Sequence, residues 1–443
     1  MKKNDKFLGV FWIIIFTFLT LAPILMLIQG PKYDHRSPLL GISVGLGFTG
    51  LAIMALQFVI SGRIKVLNKP FGTDLVYHFH RQIGIAAFFM VFAHPILLFI
   101  LDKKYLRLLN LITAPWRARA AVTSILLLII VVLTAEYRQK FKISYKFWKF
   151  WHGIFSTVMV ALALVHIFLV GNYINLPWEK ALWIAYSALF IGMLAYTRII
   201  YPLLLIRRPF HVKETKQEQG DVWTITMEPT NHKGFEFEPG QFAWLTAWKT
   251  PFSDTEHPFS IVSSAERKTE IKMSIKDLGP FTKKVRTLKP GDRVFVDGPY
   301  GAFNLDRFPG AERLIFIPGG IGVTPIMSML RTMADRGDSR PIRLFYCNRE
   351  WESLAFKEEI KMLESKLNLE TIYTIEKPPK KWEGESGFLN KDILNRHIPK
   401  KWLKDGTDIF LCGPTPMMNA VENELLKIGY AHNQVHSERY AFN

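Results

Sequence analysis

Hydrophobic positions along this chain follow two regimes that change near residue 206. Before it, six apolar runs, at 7–29, 39–61, 77–101, 118–135, 148–170 and 178–206, approach or exceed the length of a bilayer crossing, which takes about 20 mostly apolar residues. The first run opens FLGVFWIIIFTFLT and stays apolar beyond a signal-peptide core, with no clear small-residue cleavage site. It is therefore read as a span. After residue 206, apolar positions alternate in short runs punctuated by Gly and Pro. DVWTITM (221–227), QFAWLTA (241–247), EIKMSI (270–275) and RVFVDG (293–298) predict strands of a small antiparallel barrel. Beyond 310, strands RLIFI (313–317), IRLFYC (342–347), LETIYTI (369–375) and DIFLC (408–412) alternate with helical stretches after Pro325, near 354–366 and after Pro416. That rhythm predicts an open parallel sheet. The expected fold class is thus multi-domain: a six-helix transmembrane bundle over 1–206, an antiparallel β-barrel over 207–309, and an α/β parallel-sheet domain over 310–443.

Charge changes this picture in one respect. The 443 residues carry a net charge of +18, from 56 basic and 38 acidic residues. Much of the excess flanks the spans, which points to a membrane surface and not to nucleic acid. With the N-terminus inside, the inner flanks hold twelve basic residues: Lys2, Lys3, Lys6, Arg63, Lys65, Lys69, Arg138, Lys140, Lys142, Lys146, Arg207 and Arg208. The outer loops hold eight: Lys32, Arg36, Lys103, Lys104, Arg107, Arg117, Arg119 and Lys180. The balance predicts a multi-pass protein of the plasma membrane with its last two domains in the cytoplasm, although the basic loop at 102–119 runs against the rule. Two cysteines, Cys347 and Cys412, cannot build a disulfide framework, a zinc site or an iron–sulfur cluster. The sequence carries neither a calcium-binding loop nor a long N-terminal extension, so activity is expected without calcium or an obligatory activating subunit.

Four histidines lie inside the apolar half. His80 and His94 are on the third run, His152 and His166 on the fifth, each pair 14 residues apart. Fourteen residues make nearly four helical turns, so both members of a pair share one face, roughly 21 Å apart along the axis. Alternating spans run the third and fifth in the same direction, which sets His80 against His152 and His94 against His166. Imidazole is a common axial ligand of haem iron, and ionisable residues within a membrane are candidates for function. The alternative is four buried, hydrogen-bonded histidines. The equal spacing favours two bis-histidine haems, which would move electrons without binding substrate at iron. His78 is 16 residues from His94, about 160° around the helix, and reads as interfacial; His35 reads as solvated. Arg81 and Arg198 are candidates for haem propionates, with snorkelling to the interface as the alternative.

In the last domain, Gly319-Gly320-Ile321-Gly322-Val323-Thr324-Pro325 follows a strand and opens a helix. Such glycines let a backbone approach a pyrophosphate at a helix N-terminus, although the run is not GxGxxG. Taken with its neighbours in order, it resembles the ferredoxin–NADP reductase family. His257-Pro258-Phe259-Ser260 is similar to that family's flavin-binding strand in the form found in transmembrane NADPH oxidases and ferric reductases. The resemblance implies Ser260 at the flavin N5 edge and His257 near the FAD diphosphate. Ile275-Lys276, with Gly279-Pro280-Phe281-Thr282, resembles a second phosphate-contacting stretch. Gly319, Gly320, Gly322, Thr324 and Pro325 would form the nicotinamide-nucleotide pyrophosphate loop. Cys412-Gly413-Pro414 would place a thiol beside the nicotinamide. Glu438-Arg439-Tyr440 resembles the terminal Glu-x-aromatic, whose ring covers the flavin, with Tyr440 and Phe442 both candidates for the ring. The apolar half resembles the ferric-reductase-like membrane domain, and the resemblance covers nearly the whole chain.

What the resemblance implies is a transmembrane oxidoreductase with FAD, two b-type haems and NADPH, or NADH, as donor. Electrons would cross to O2, giving superoxide, or to a ferric chelate, with O2 slightly favoured. A haem redox subunit serving a partner protein or quinone is an alternative of another class. Arg349, after the second strand of the last domain, is the candidate reader of a 2′-phosphate, which favours NADPH; Arg343 precedes that strand.

Overall fold

The computed structural model describes residues 3–29, 37–253, 255–403 and 406–439. The described chain divides into two compact units. One holds nearly all of residues 7–201, and the other holds the residues from 202 onward together with two short segments, one before residue 7 and one at 72–74.

The first unit contains the helices α1 (Lys3–Gln29), α2 (Pro38–Ile60), the short α3 (Lys65–Phe71), α4 (Thr73–Leu101), α5 (Trp116–Glu136), α6 (Tyr145–Val170) and α7 (Pro177–Ala195). All six predicted spans are present among the described residues as helices long and apolar enough to cross a membrane. Outward-facing Phe, Ile and Leu side chains on α1, α4, α6 and α7 stay exposed, as a lipid-facing surface requires. α2 is the exception, buried along about two thirds of its most apolar stretch. Its sequence explains this: Gly41, Ser43, Gly45, Gly47 and Gly50 remove bulk and let neighbouring backbones approach. A Cβ on Gly50 would lie 2.5 Å from a Val91 methyl carbon and 3.2 Å from the Ala87 carbonyl. α5 and α6 are tied by the buried Ser124 hydroxyl, which donates to the Met159 carbonyl at 2.9 Å, and the Tyr186 hydroxyl on α7 donates to the Leu19 carbonyl on α1. α6 stops at Gly171, whose φ of +67° is the left-handed cap that glycine adopts without strain.

The sixth predicted span is not one regular helix. α7 passes through a π turn at Tyr196–Ile200 into α8 (Tyr201–Ile206). A π turn admits an extra residue into the helix and is frequent at functional sites; this one carries Arg198.

The second unit begins with the strands β1 (Phe210–Gln217), β2 (Val222–Pro229), β3 (Phe242–Ala247), β4 (His257–Ser260), β5 (Ile271–Lys276), the helix α9 (Pro280–Val285) and β6 (Arg293–Tyr300). The strands pair antiparallel in the order β4-β3-β6-β1-β2-β5. An Ile261–Met273 bridge joins the end of β4 to β5 and closes the barrel. Its core is Phe210, Val212, Ile225, Met227, Leu245, Ile261, Met273, Val294 and Val296. Two strands escape the sequence pattern. β1 (FHVKETKQ) is largely polar because only Phe210 and Val212 reach the core, and β4 is four residues long.

There follow β7 (Arg313–Pro318), α10 (Val323–Asp335), β8 (Ile342–Glu350), α11 (Lys357–Glu364), β9 (Leu369–Lys377), β10 (Glu385–Ser386), α12 (Lys391–His397), β11 (Thr407–Cys412), α13 (Thr415–Ile428) and β12 (Val435–Ser437). The sheet is parallel throughout, in the order β10-β9-β8-β7-β11-β12. Alternation along β7 shows why its run is continuously apolar. Leu314 and Phe316 enter one core layer with Leu330 and Leu363, while Ile315 and Ile317 enter the opposite layer with Leu394 and Leu425.

α10 also joins the sheet to the barrel. The Ser328 hydroxyl donates to the Ser263 carbonyl at 2.9 Å, and Thr332 Oγ1 accepts from the Ala265 amide at 2.9 Å. Arg331 donates to the Val262 carbonyl at 2.7 Å and forks onto Glu359 at 2.7 and 2.6 Å. Burial would raise the Glu359 carboxyl, but the Arg331 guanidinium overrides it and holds that group below its ordinary 4.5. A carboxyl depressed by folding stabilises above its unfolded pKa, and that stabilisation is lost as pH falls through the folded value. Arg331→Ala should therefore cost roughly 1–3 kcal/mol at neutral pH, and the loss should shrink on acidification. Thermal unfolding of the full chain at pH 7 and near pH 4 checks this; an unchanged midpoint at pH 7 would show that the bridge contributes nothing.

Candidate functional site

The four candidate histidines stand on two helices. His80 and His94 lie on α4, His152 and His166 on α6. His80 stands near His152, and His166 near His94. His78 lies exposed.

Their surroundings differ. His94 Nδ1 is 2.9 Å from the Ser43 carbonyl and 2.9 Å from the Ser43 hydroxyl. His166 Nδ1 is 2.7 Å from the Arg117 carbonyl. The Nδ1 atoms of His80 and His152 are buried without a hydrogen-bond partner among the described residues. Gln57 donates to the His80 main-chain carbonyl at 3.0 Å, and the Trp148 ring packs on His152 with centroids 4.9 Å apart. A cavity of about 160 Å³, lined by Thr134, Ile143, Phe147, Trp148, Trp151 and Phe155, adjoins His152.

The two candidate arginines diverge. Arg198 Nη2 lies 3.1 Å from where a Cβ on Gly153 would stand, so the absent side chain beside His152 makes room for the guanidinium. Arg81 instead forks onto Glu136 at 2.6 and 3.2 Å. It clamps α4 to the end of α5, and a propionate would have to share it with that carboxylate.

In the second unit the sheet order reverses between β7 and β11, since β8 to β10 lie on one side of β7 and β11 and β12 on the other. Ligands of open parallel sheets bind at the strand C-termini of such a switch point. The two motifs meet there: Gly319–Pro325 follows β7 and Cys412-Gly413-Pro414 follows β11. The Gly319 amide donates to the Cys412 carbonyl at 2.8 Å. A Cβ on Gly322 would fall 2.2 Å from that same carbonyl oxygen, and one on Gly319 would fall 2.3 Å from Met417 Sδ. Gly322 has φ −60°, which any residue can adopt, so it is space and not torsion that demands glycine here. Thr324 and Pro325 lie in the first turn of α10, and the Thr324 hydroxyl donates to the Ile321 carbonyl at 2.9 Å.

Cys412 is 1 % exposed. Burial pushes its thiol far above the ordinary range, and the nearby Glu438 carboxylate adds to the shift. It is a neutral, small, polarisable group at neutral pH and not a thiolate nucleophile. Glu438 is itself buried, with a carboxylate oxygen 3.0 Å from where a Cβ on Gly301 would stand. Tyr440 and Phe442 lie outside the described residues.

On the barrel, His257 and Phe259 leave β4 beside Phe281 of α9. The His257 and Phe281 ring centroids are 4.0 Å apart, and Phe259 and Phe281 stack at 6.0 Å. Trp248 meets Phe281 edge-on at 5.5 Å, with Lys284 over its own ring at 4.5 Å. Pro258 pairs with Trp244 across β3, and the buried Ser260 pairs with Phe242. Thr282 Oγ1 accepts the Leu278 and Gly279 amides at 2.9 and 2.8 Å, which locks the turn at the start of α9. Lys276, half-buried, ends β5 before it. Ile275 departs from its expected place: its side chain belongs to the barrel core, so only its main chain is left for a cofactor. Arg349 is exposed near the C-terminal end of β8. Arg343, at the other end of that strand, is held by Glu370 at 2.7 Å and lies over Trp402.

Comparison with known proteins supplies the remaining observation. Residues 46–163 match the ferric reductase like transmembrane component, 207–304 an FAD-binding domain and 316–423 the oxidoreductase NAD-binding domain. The chain is 30 % identical over 214 residues to NADH-cytochrome b5 reductase 2-A of Vanderwaltozyma polyspora, covering 44 % of this chain and 71 % of that protein. The chain is a fusion of the ferric reductase/NADPH oxidase type, a ferric-reductase-like membrane domain joined to an FAD- and NAD-binding reductase module.

Other relatives include NADH-cytochrome b5 reductase 2 of Mycosarcoma maydis (27 % over 202 residues; 41 % of this chain, 57 % of the relative). The glycine betaine monooxygenase reductase subunit of Pseudomonas aeruginosa is 29 % identical over 230 residues, 51 % of this chain and 62 % of the relative. The chain thus spans about three fifths of these two proteins. The cytochrome b5 reductase domain of Ulva prolifera nitrate reductase is similar at 22 % identity and a TM-score of 0.46, over 53 % of this chain and 98 % of that one.

A ferric-reductase-like membrane domain implies haem, and the donor chemistry here fits it. A carbonyl only accepts, so Nδ1 of His94 and of His166 must carry the ring proton, which leaves Nε2 as the lone-pair atom for a metal. No group of three or more His, Cys, Asp or Glu able to hold a bare metal ion is present among the described residues; a bis-histidine haem needs two, because the porphyrin supplies the other ligands. The sequence pattern alone does not mark Ser43, Gly47, Gln57 or Gly153 as neighbours of the histidines. The small-residue run of α2 is the one signal for the first two, and it reads as packing until His94 is placed against it.

Proposed function

We propose that this protein is a plasma-membrane NAD(P)H oxidoreductase that delivers electrons across the bilayer to an acceptor at its outer face, O2 being favoured and superoxide the product. When bound, FAD would take a hydride from NAD(P)H and release electrons singly, and two b-type haems would carry them across the membrane. The observation that supports this reading best is the pairing of His80 with His152 and His94 with His166 on α4 and α6, in a chain that also carries FAD- and NAD-binding domains.

Each residue has a role in this reading. His80 and His152 would hold an inner haem and His94 and His166 an outer one, with Arg198 available to the inner haem's propionates. Gly319, Gly320 and Gly322 keep the turn after β7 bare, so that backbone amides and the N-terminus of α10 face the pyrophosphate. Cys412, uncharged and buried, would lie beside a bound nicotinamide, and Gly413 and Pro414 hold that turn against Gly319. Ser260 would offer its hydroxyl to the flavin, and Glu438 a buried carboxylate near it. His257, Phe259 and Phe281 form an aromatic group, with Lys276 and Thr282 nearby, for the FAD diphosphate region. The two soluble domains lie on the cytoplasmic side, in keeping with the charge balance of the loops.

Two measurements test the acceptor and the donor. Purified protein loaded with FAD and haem, given NADPH, should consume O2 and produce superoxide; rapid ferric-chelate reduction with no O2 consumption would make it a ferric reductase instead. Arg349→Ala should raise KM for NADPH roughly 10- to 100-fold, the worth of one or two charge-assisted bonds, with NADH kinetics unchanged. An unaltered preference would remove Arg349 from the nucleotide site.

A further inference from the structure

We propose that Ser43 and Gly47, one turn apart on α2, are positioning residues for His94, and that they make the outer histidine pair a more electron-donating ligand set than the inner pair. The proposal rests on the reading that the four histidines hold two haems.

The hydrogen bonds fix the tautomer. The Ser43 hydroxyl is 2.8 Å from the His94 carbonyl and 2.9 Å from His94 Nδ1, and the Ser43 carbonyl is 2.9 Å from the same nitrogen. A carbonyl cannot donate, so the ring proton sits on Nδ1. The one hydroxyl proton then goes to the His94 carbonyl, leaving Ser43 Oγ free to accept from Nδ1 as well. Both polar groups of Ser43 are thus engaged, at a residue only 1 % exposed. Gly47 completes the clamp from one side: a Cβ there would lie 3.2 Å from His94 Cγ and 3.3 Å from Nδ1, tighter than ring and methyl can share without movement. The sequence Ser43-x-x-x-Gly47 therefore holds the ring by its edge and makes room for it.

The inner pair has the same residue type and spacing without this support. Among the described residues the Nδ1 atoms of His80 and His152 are buried and unpartnered, and Gln57 reaches the His80 backbone and not its ring. An Nδ1–H bonded to an acceptor raises the basicity of Nε2. A more basic axial ligand favours the oxidised iron, so hydrogen bonding behind the ligand lowers a haem's potential. His166 Nδ1 is engaged by the Arg117 carbonyl at 2.7 Å. Ser43 substitutions leave Arg117 and the Ser43 carbonyl untouched and so isolate the contribution of the hydroxyl.

The experiment is spectroelectrochemistry of the full-length protein loaded with FAD and haem. Wild type should hold two six-coordinate haems per chain; if it does not, the haem reading fails before the proposal is reached. The outer haem is identified as the one lost in His166→Ala. Ser43→Ala should keep both haems and raise only the outer midpoint, by up to about tenfold in the reduced-to-oxidised ratio, which is about 59 mV for one electron, and Ser43→Thr should restore it. Two haems with unshifted midpoints, or an equal shift in both, would overturn the proposal. Should Ser43→Ala not accumulate, Gly47→Ala should change the outer haem's low-spin electron paramagnetic resonance signal and spare the inner one; an unchanged outer signal would overturn it equally.

Discussion

His152→Ala is expected to remove one of two haems and leave the other intact, halving the haem absorbance per chain. His80→Ala should give the same spectrum, because a bis-histidine site that loses either ligand loses six-coordination. His94→Ala and His166→Ala should delete the second haem instead. All four should abolish electron delivery to the outer acceptor while sparing NADPH-driven reduction of bound flavin. This is the largest of the expected effects, since it breaks transfer across the membrane outright. It also separates haem ligands from structural histidines: a buried, hydrogen-bonded histidine changed to alanine lowers stability without changing haem stoichiometry in the protein that survives. Visible spectra and haem-to-protein ratios of the four variants decide between these outcomes.

The second large effect is expected from Gly322→Ala. The added methyl would stand 2.2 Å from the Cys412 carbonyl oxygen, 2.6 Å from its carbon and 2.9 Å from the Gly413 nitrogen. These are backbone atoms held by the β7–β11 ladder, so no side chain can swing aside. The two turns must separate, and with them the pyrophosphate loop and the Cys412 thiol. A displacement of about 1 Å between reacting groups costs on the order of 10²-fold in rate, and the overpacking itself roughly 1–3 kcal/mol in stability. NADPH-driven flavin reduction should therefore fall about 100-fold, with both haems still bound. An unchanged rate of NADPH-driven flavin reduction in Gly322→Ala would contradict the steric argument.

The architecture is legible in the sequence wherever burial imposes a simple period. Six spans, the barrel strands with full alternation and the doubly buried strands β7, β8 and β11 all stand close to their predicted places. β1 is hidden because a strand with two core residues looks polar. The π turn at Tyr196–Ile200 is hidden because an extra residue in a helix leaves no mark on an apolar run. At the site, the histidine pairing is legible because 14 residues return to one helix face. The partners of those histidines are not: Ser43 and the Arg117 carbonyl are 51 and 49 residues away in sequence, and a carbonyl has no side-chain signature at all. The same holds for Arg81, whose binding to Glu136 spans 55 residues. The Gly-rich turn is visible as a motif, but the reason for Gly322 lies in a second turn about 90 residues later, at Cys412 and Gly413.

The central claim is that NAD(P)H electrons reach two bis-histidine haems within this one chain. The direct measurement is anaerobic addition of NADPH to the full-length protein loaded with FAD and haem, followed by visible absorbance. Two six-coordinate b-type haems per chain are expected, both reduced without any partner protein. Flavin bleaching with the haem bands still oxidised, or fewer than two haems per chain, would contradict it.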